Sequence, residues 1–164
     1  METLELYNFL HKHYKYEDGN LICIKKVRHS KYNLGDILGI KYDNDYTRTE
    51  IDGKRYLLHR LIFLFHHKYL PKFIDHIDRD KINNRIENLR PCDKSENKCN
   101  TNLRIDNKIG YKGIGKSRNK WYSTITKNGK RITTYHYTLE EAIEVRRQRE
   151  IELFGEFNYN SSLI

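Results

Sequence analysis

The sequence predicts an α+β fold of short antiparallel strands interrupted by helices, and three observations carry that expectation. Between Leu21 and Tyr56 the apolar residues come in brief runs bounded by turn formers, including the Asp52-Gly53 pair that favours a two-residue hairpin. From Leu57 to Tyr69 the period changes to that of a helix. After Gly110 three further short runs are followed by Thr138 and Glu141 at capping-box spacing, which opens a final helix.

In chain order, residues 2–14 predict a short helix with Leu4, Leu6, Phe9, Leu10 and Tyr14 as its apolar members, ended by the turn Glu17-Asp18-Gly19-Asn20. The runs LICIKKV, ILGIKY, TRTEI and KRYLL then read as strands. Lys25, Lys26, Arg28, Lys31, Lys41, Arg48, Lys54 and Arg55 fall in this stretch, either as solvated surface or as groups tracking a nucleic-acid backbone. The helix over 57–69 should turn Leu58, Leu61, Ile62, Phe65 and Tyr69 inward, with His66 and His67 as its polar end.

The stretch that organises the chain is IDHIDRDKINNRIENLRPCDKSENKCN, from Ile74 to Asn100. Lys72-Phe73-Ile74 suits a short strand that presents Asp75 and His76 side by side. Asp78, Arg79, Asp80, Asn83 and Asn84 form turns, and Ile86 with Leu89 makes a second apolar unit that Pro91 should stop. Asp93 and Glu96 then predict a capped helix from about Lys94, carrying Asn97 in its first turn and Cys99 with Leu103 as an inward pair. Folded as a hairpin and helix, this unit can gather Asp75, His76 and Asn97. Two oxygen ligands suit a hard cation such as Mg²⁺, and the imidazole is placed to take a proton from water. That is sufficient for phosphodiester hydrolysis.

These residues resemble the HNH nucleases of the ββα-metal (His-Me finger) type, especially the phage and intron-encoded homing endonucleases. The resemblance rests on His59-Arg60-Leu61, Pro71, Asp75-His76-Ile77-Asp78, Asn83-Asn84, Asn88-Leu89-Arg90, Asn97 and Asn100. It implies His76 as general base, Asp75 and Asn97 as ligands of one Mg²⁺ or Mn²⁺ per site, and Asn88 as the residue that ties the loop between the strands. His59, Arg60, Asn84 and Asn100 share the motif as possible support. His59 either approaches the site or a phosphate, or serves as a hydrogen-bonded structural histidine. The implied product ends are 5′-phosphate and 3′-hydroxyl.

Gly110 to Tyr135 reads as the strands GYKGIGKS, KWYSTITK and KRITTYHY, with turns at Arg118-Asn119 and Asn128-Gly129, before a helix that lasts to Phe154 and stops at Gly155. Tyr111, Gly113, Ile114, Trp121, Ile125, Gly129, Thr138, Glu141, Ala142, Gly155 and Asn158 give this segment a resemblance to the APETALA-type (ethylene-response-factor) DNA-binding domain. By that resemblance the sheet enters the major groove. Tyr122, Thr124 and Thr126, with Lys116, Arg118, Lys127, Lys130 and Arg131, are then the expected DNA face. In the last helix Ala142, Ile143, Ile151 and Phe154 are the expected apolar set, interrupted by Arg146, Arg147 and Arg149, which are either solvated or on the phosphate backbone.

Composition fits such a partner. The chain has 164 residues, with 31 Lys+Arg against 22 Asp+Glu and a formal charge of +9. This favours a polyanion bound by counterion release. A mean hydropathy of -0.88, with no apolar run of spanning length, predicts a soluble protein rather than a membrane one. Cys23, Cys92 and Cys99 form no CxxC pair, so a reducing, cytoplasmic setting without structural zinc or signal peptide is expected. The expected organisation is an N-terminal helix and strands that touch DNA (1–57), an HNH core (58–104), a connection (105–109), the APETALA-type domain (110–158) and a tail (159–164). Double-stranded DNA is the expected partner of a monomer that nicks or a homodimer that cuts both strands. The competing class is a non-catalytic DNA-binding regulator on the same scaffold, and a nuclease acting on RNA is disfavoured because A-form major grooves are too narrow for a sheet.

Overall fold

A computed structural model describes residues 1–40 and 46–158. Lys41 and Tyr42 of the expected ILGIKY strand, and the tail from residue 159, lie outside the described residues. The chain forms two compact units, Met1–Cys92 and Asp93–Ile164.

The first unit begins with α1 (Thr3–His13), then β1 (Tyr14–Glu17) and β2 (Asn20–Cys23). Tyr14 is already extended and opens β1 rather than closing the helix, because Tyr14 and Tyr16 alternate with charged residues and lead into a tight turn. That turn has positive φ at both Asp18 (46°) and Gly19 (78°), the geometry of the favoured hairpin connection. Leu6 and Leu10 are buried, whereas Leu4 is 54% exposed. The expected strand around Ile37 to Ile40 is reduced to isolated bridges, Ile22 with Ile37 and Ile40 with Arg48, because Gly39 between them takes φ 110° and turns the backbone out of the sheet.

Strands β3 (Arg48–Ile51) and β4 (Lys54–Leu57) form the second hairpin, with Asp52 and Gly53 both at positive φ. Helix α2 (Leu58–His67) follows and ends on Lys68 at φ 62°. This stop leaves Tyr69 outside the helix and 50% exposed, and Phe63 occupies the core instead. Strands β5 (Phe73–His76) and β6 (Leu89–Cys92) pair antiparallel, Asp75 opposite Arg90 and His76 opposite Leu89. Pro91 does not stop the strand. It sits within β6 opposite Ile74, which a two-stranded ribbon tolerates because its outer edge needs no N–H donor. Ile86–Asn88 is a 3-10 turn. Leu10, Leu21, Leu38, Leu61, Ile62, Phe63, Ile74 and Leu89 join these pieces in one core.

The second unit opens with α3 (Lys94–Cys99). Asp93 caps it by accepting from Ser95 N and Glu96 N, and Glu96 returns a carboxylate to Asp93 N at 2.7 Å. The helix is shorter than expected, and Leu103 falls beyond it. Lys112 Nζ explains the stop, donating to the carbonyls of Cys99 (2.8 Å) and Thr101 (2.7 Å) where the next turn would have bonded. Strands β7 (Ile114–Ser117), β8 (Lys120–Lys127) and β9 (Lys130–His136) form a meander, and α4 (Leu139–Phe154) packs on it with Thr138 as cap. Ala142 and Phe154 of α4 are buried as expected, but Arg146 and Glu150 join them in place of Ile151, which is 50% exposed. Arg146 goes inward because Glu150, one turn on, meets it at 2.7 Å with both side chains buried.

Candidate active site

The β5–β6 ribbon positions the site. Asp75 and His76 are adjacent yet both buried, 5% and 4% exposed, because the strand lies between the core and the loop that follows it. Asp75 is held by Arg90, the residue it faces across the ribbon, with Nε and Nη2 donating to Oδ2 at 3.0 and 2.9 Å. His76 Nε2 lies 3.2 Å from Asn84 Oδ1, and Asn84 is itself buried. An amide oxygen only accepts, so the ring proton belongs on Nε2 and the lone pair on Nδ1. Burial pushes the His76 pKa below the ordinary histidine value, opposed by the Asn84 bond and by the carboxylates of Asp78, Asp75 and Asp80. The neutral, basic form is therefore the resting one near neutral pH.

Asn88 closes the loop between the strands. Its side chain accepts from Asp78 N at 3.0 Å and donates to Asp78 Oδ1 and Asn83 O, both at 2.8 Å, while its carbonyl accepts from Ile77 N. Asp78 in turn accepts from Asn83 Nδ2 and Asp80 N. Residues 77–88 thus form a loop stapled at its base, with Asn84 carried on its inner side.

Helix α2 supplies a second imidazole. The His59 ring stands edge-on to that of His76, with centroids 5.1 Å apart, and Tyr46 covers both at 5.0 and 5.8 Å. Burial lowers the His59 pKa to about 3, helped by the charges of His76 and Arg60, and its Nδ1 is buried without a hydrogen-bond partner. Arg60 donates to Pro71 O and Lys72 O, tying α2 to the approach of β5. Asn97 and Asn100 belong to the second unit, Asn97 half-buried on α3 and Asn100 buried at its end with N bonded to Glu96 O.

The donor chemistry suits a hard divalent cation. Asp75 offers a buried carboxylate, a hard oxygen donor, whose Oδ2 accepts from Arg90. Among the described residues no group of three or more His, Cys, Asp and Glu side chains is arranged to hold a metal. A cation bound with one or two protein oxygens, and waters or phosphate oxygens for the rest, is the Mg²⁺ habit.

In the second unit, strand parity sorts the residues expected on the DNA face. Ser123 and Ile125 are buried under α4, so Tyr122, Thr124 and Thr126 occupy the opposite, open face. Arg131 pairs with Thr126 and Tyr135 with Tyr122, so both share it. Three of the expected residues lie on the α4 side instead. Lys116 pairs with Trp121 and lies over its ring, Lys130 pairs with Lys127, and Lys127 Nζ donates to Leu153 O and sits over the Phe154 ring. Arg118 is in the β7–β8 turn at φ 53°. Gly115 has no room for a Cβ beneath the Tyr122 ring, which leaves that ring lying flat on the open face.

The sequence reading passed over Arg90 as the partner of Asp75 and Tyr46 as the cover of the two imidazoles. The first was detectable as opposite charges at facing positions of a ribbon; for Tyr46 no sequence signal exists.

A sequence model of a family described as HNH endonuclease matches residues 56–99. Protein 3.8 of Escherichia phage T7 is 34% identical over 92 residues, 54% of this chain and 76% of that protein. An uncharacterized HNH endonuclease of Acanthamoeba polyphaga mimivirus is 35% identical over 108 residues, 61% of this chain and about half (54%) of that protein. No solved structure matches the chain significantly.

Proposed function

We propose, from the match of residues 56–99 to the HNH endonuclease family, that the chain is a metal-dependent DNA endonuclease of the homing or mobile-element type with His76 as its general base. The observation that carries the reading is the buried His76 whose Nε2 is held by Asn84, the tautomer in which Nδ1 is the basic nitrogen. Asp75 and Asn97 are the proposed ligands of one Mg²⁺ or Mn²⁺. When bound, the cation supplies Lewis-acid stabilisation of charge at the leaving 3′ oxygen. Arg90 also holds the Asp75 carboxylate in place, Asn88 keeps the loop closed, and the products are 5′-phosphate and 3′-hydroxyl ends.

The open face of the β7–β9 sheet is proposed to hold duplex DNA in the manner of an APETALA-type domain. Tyr122, Thr124, Thr126 and Arg131 are its contacts, with Arg118 at the rim; the helix-side lysines contribute only to the general positive field. A formal charge of +9 supports a polyanionic partner. The test is incubation of the purified protein with supercoiled plasmid and Mg²⁺. Nicked circles that vanish with EDTA support the reading, and intact plasmid across varied DNA targets counts against it.

A further inference from the structure

Asn84 bonds the Nε2 of the proposed base, and it is braced by a part of the chain outside the segment that matches the family. Three contacts run from the β1–β2 hairpin to the peptides around Asn84. Arg85 forks onto Asp18, Nε to Oδ1 at 2.6 Å and Nη2 to Oδ2 at 3.1 Å. Ile86 N donates to the Tyr16 hydroxyl at 3.0 Å. Gly19, at φ 78°, lies so close that a Cβ there would stand 3.0 Å from Arg85 N and 3.1 Å from Asn84 C. These contacts join residues 67 and 70 positions apart, so chain connectivity does not impose them.

We propose that the β1–β2 hairpin is a positioning element for the His76 imidazole, with Tyr16, Asp18 and Gly19 acting through Asn84. The Asp18–Arg85 pair is solvent-exposed, 68% and 58% for the two side chains, so its worth as a stabilising ion pair is small. Its consequence is geometric. Asn88 grips the loop just before Asn84, through Asn83 O, and the hairpin fixes the backbone that follows Asn84, at Arg85 and Ile86. A base must be held to within a fraction of an ångström and 10–20° to work, and loosening the groups that orient a reactive imidazole costs about tenfold to a hundredfold.

The inference rests on His76 being the base, and the experiment separates the two. Single-turnover plasmid nicking and the dissociation constant for the same DNA are measured for Asp18→Ala, Tyr16→Phe and Gly19→Ala, each with and without Asn84→Ala. Nicking about tenfold slower with DNA affinity within twofold is expected, and no further loss once Asn84 is gone. Losses that add to that of Asn84→Ala, or none at all, overturn the proposal. The ¹⁵N spectrum of the His76 ring gives a second reading that needs no cleavage. The Nε2–H tautomer should dominate in the wild type and give way to Nδ1–H in Asp18→Ala combined with Tyr16→Phe, changes that keep the Tyr16 ring packed on the core. An unchanged tautomer balance also overturns the proposal. Should His76→Ala nick at the wild-type rate, the base assignment fails, and the tautomer measurement still decides whether the hairpin orients the ring.

Discussion

Arg90 holds Asp75 at Oδ2, which Nε and Nη2 both reach within 3.0 Å, with side chains only 11% and 6% exposed. Removing one member of a buried pair strands the other. Arg90→Ala should therefore lower stability by about 3–5 kcal/mol, read as a drop in the denaturation midpoint. A melt unchanged from wild type would show that Asp75 is not held as described.

His59 makes stability depend on pH. Its folded pKa of about 3 lies below the ordinary value of 6.5, so between those values the unfolded chain binds the extra proton. That share of stability is present above pH 6.5 and is lost as pH falls toward 3. His76 acts in the same direction over a window below the ordinary value. His59→Phe should flatten the acid side of the stability profile measured by denaturant titration, and an unaltered slope would contradict the assignment.

Two cations of the second unit should behave differently. Arg131 stands on the open sheet face, so Arg131→Ala should weaken DNA binding and reduce the slope of log affinity against log salt by about one. Lys127 is drawn to the Leu153 carbonyl and the Phe154 ring, so Lys127→Ala should leave that slope nearly unchanged. Equal effects from both would overturn the sorting of the two faces.

The Arg146–Glu150 pair provides a further contrast. Arg146→Ala leaves Glu150 buried without its ion-pair partner, at a cost of about 3–5 kcal/mol, whereas Arg146→Met with Glu150→Leu should come close to neutral. Thermal melts of the single and double variants decide, and a double variant as damaged as the single would contradict the account.

The local pieces were legible in the sequence. Asp52-Gly53 and Asn128-Gly129 announced hairpins because both central residues must take positive φ, and Asp93 with Glu96 announced α3 through a reciprocal cap. What local rules did not reach were partnerships made across the fold. Periodicity places an arginine outward, yet Arg146 is buried because Glu150 neutralises it one turn away. The bond from His76 to Asn84 depends on how a twelve-residue loop (77–88) folds back, which no spacing encodes. Lys127 was different. It shares the parity of the buried Ser123 and Ile125, so two-residue alternation alone places it on the helix side.

The most direct test is cleavage and binding measured together for His76→Ala against wild type, on the same plasmid with Mg²⁺. Loss of nicking by several orders of magnitude with DNA affinity within a few fold is the predicted result, because the base neutralises no phosphate. Cleavage at the wild-type rate would contradict the central claim.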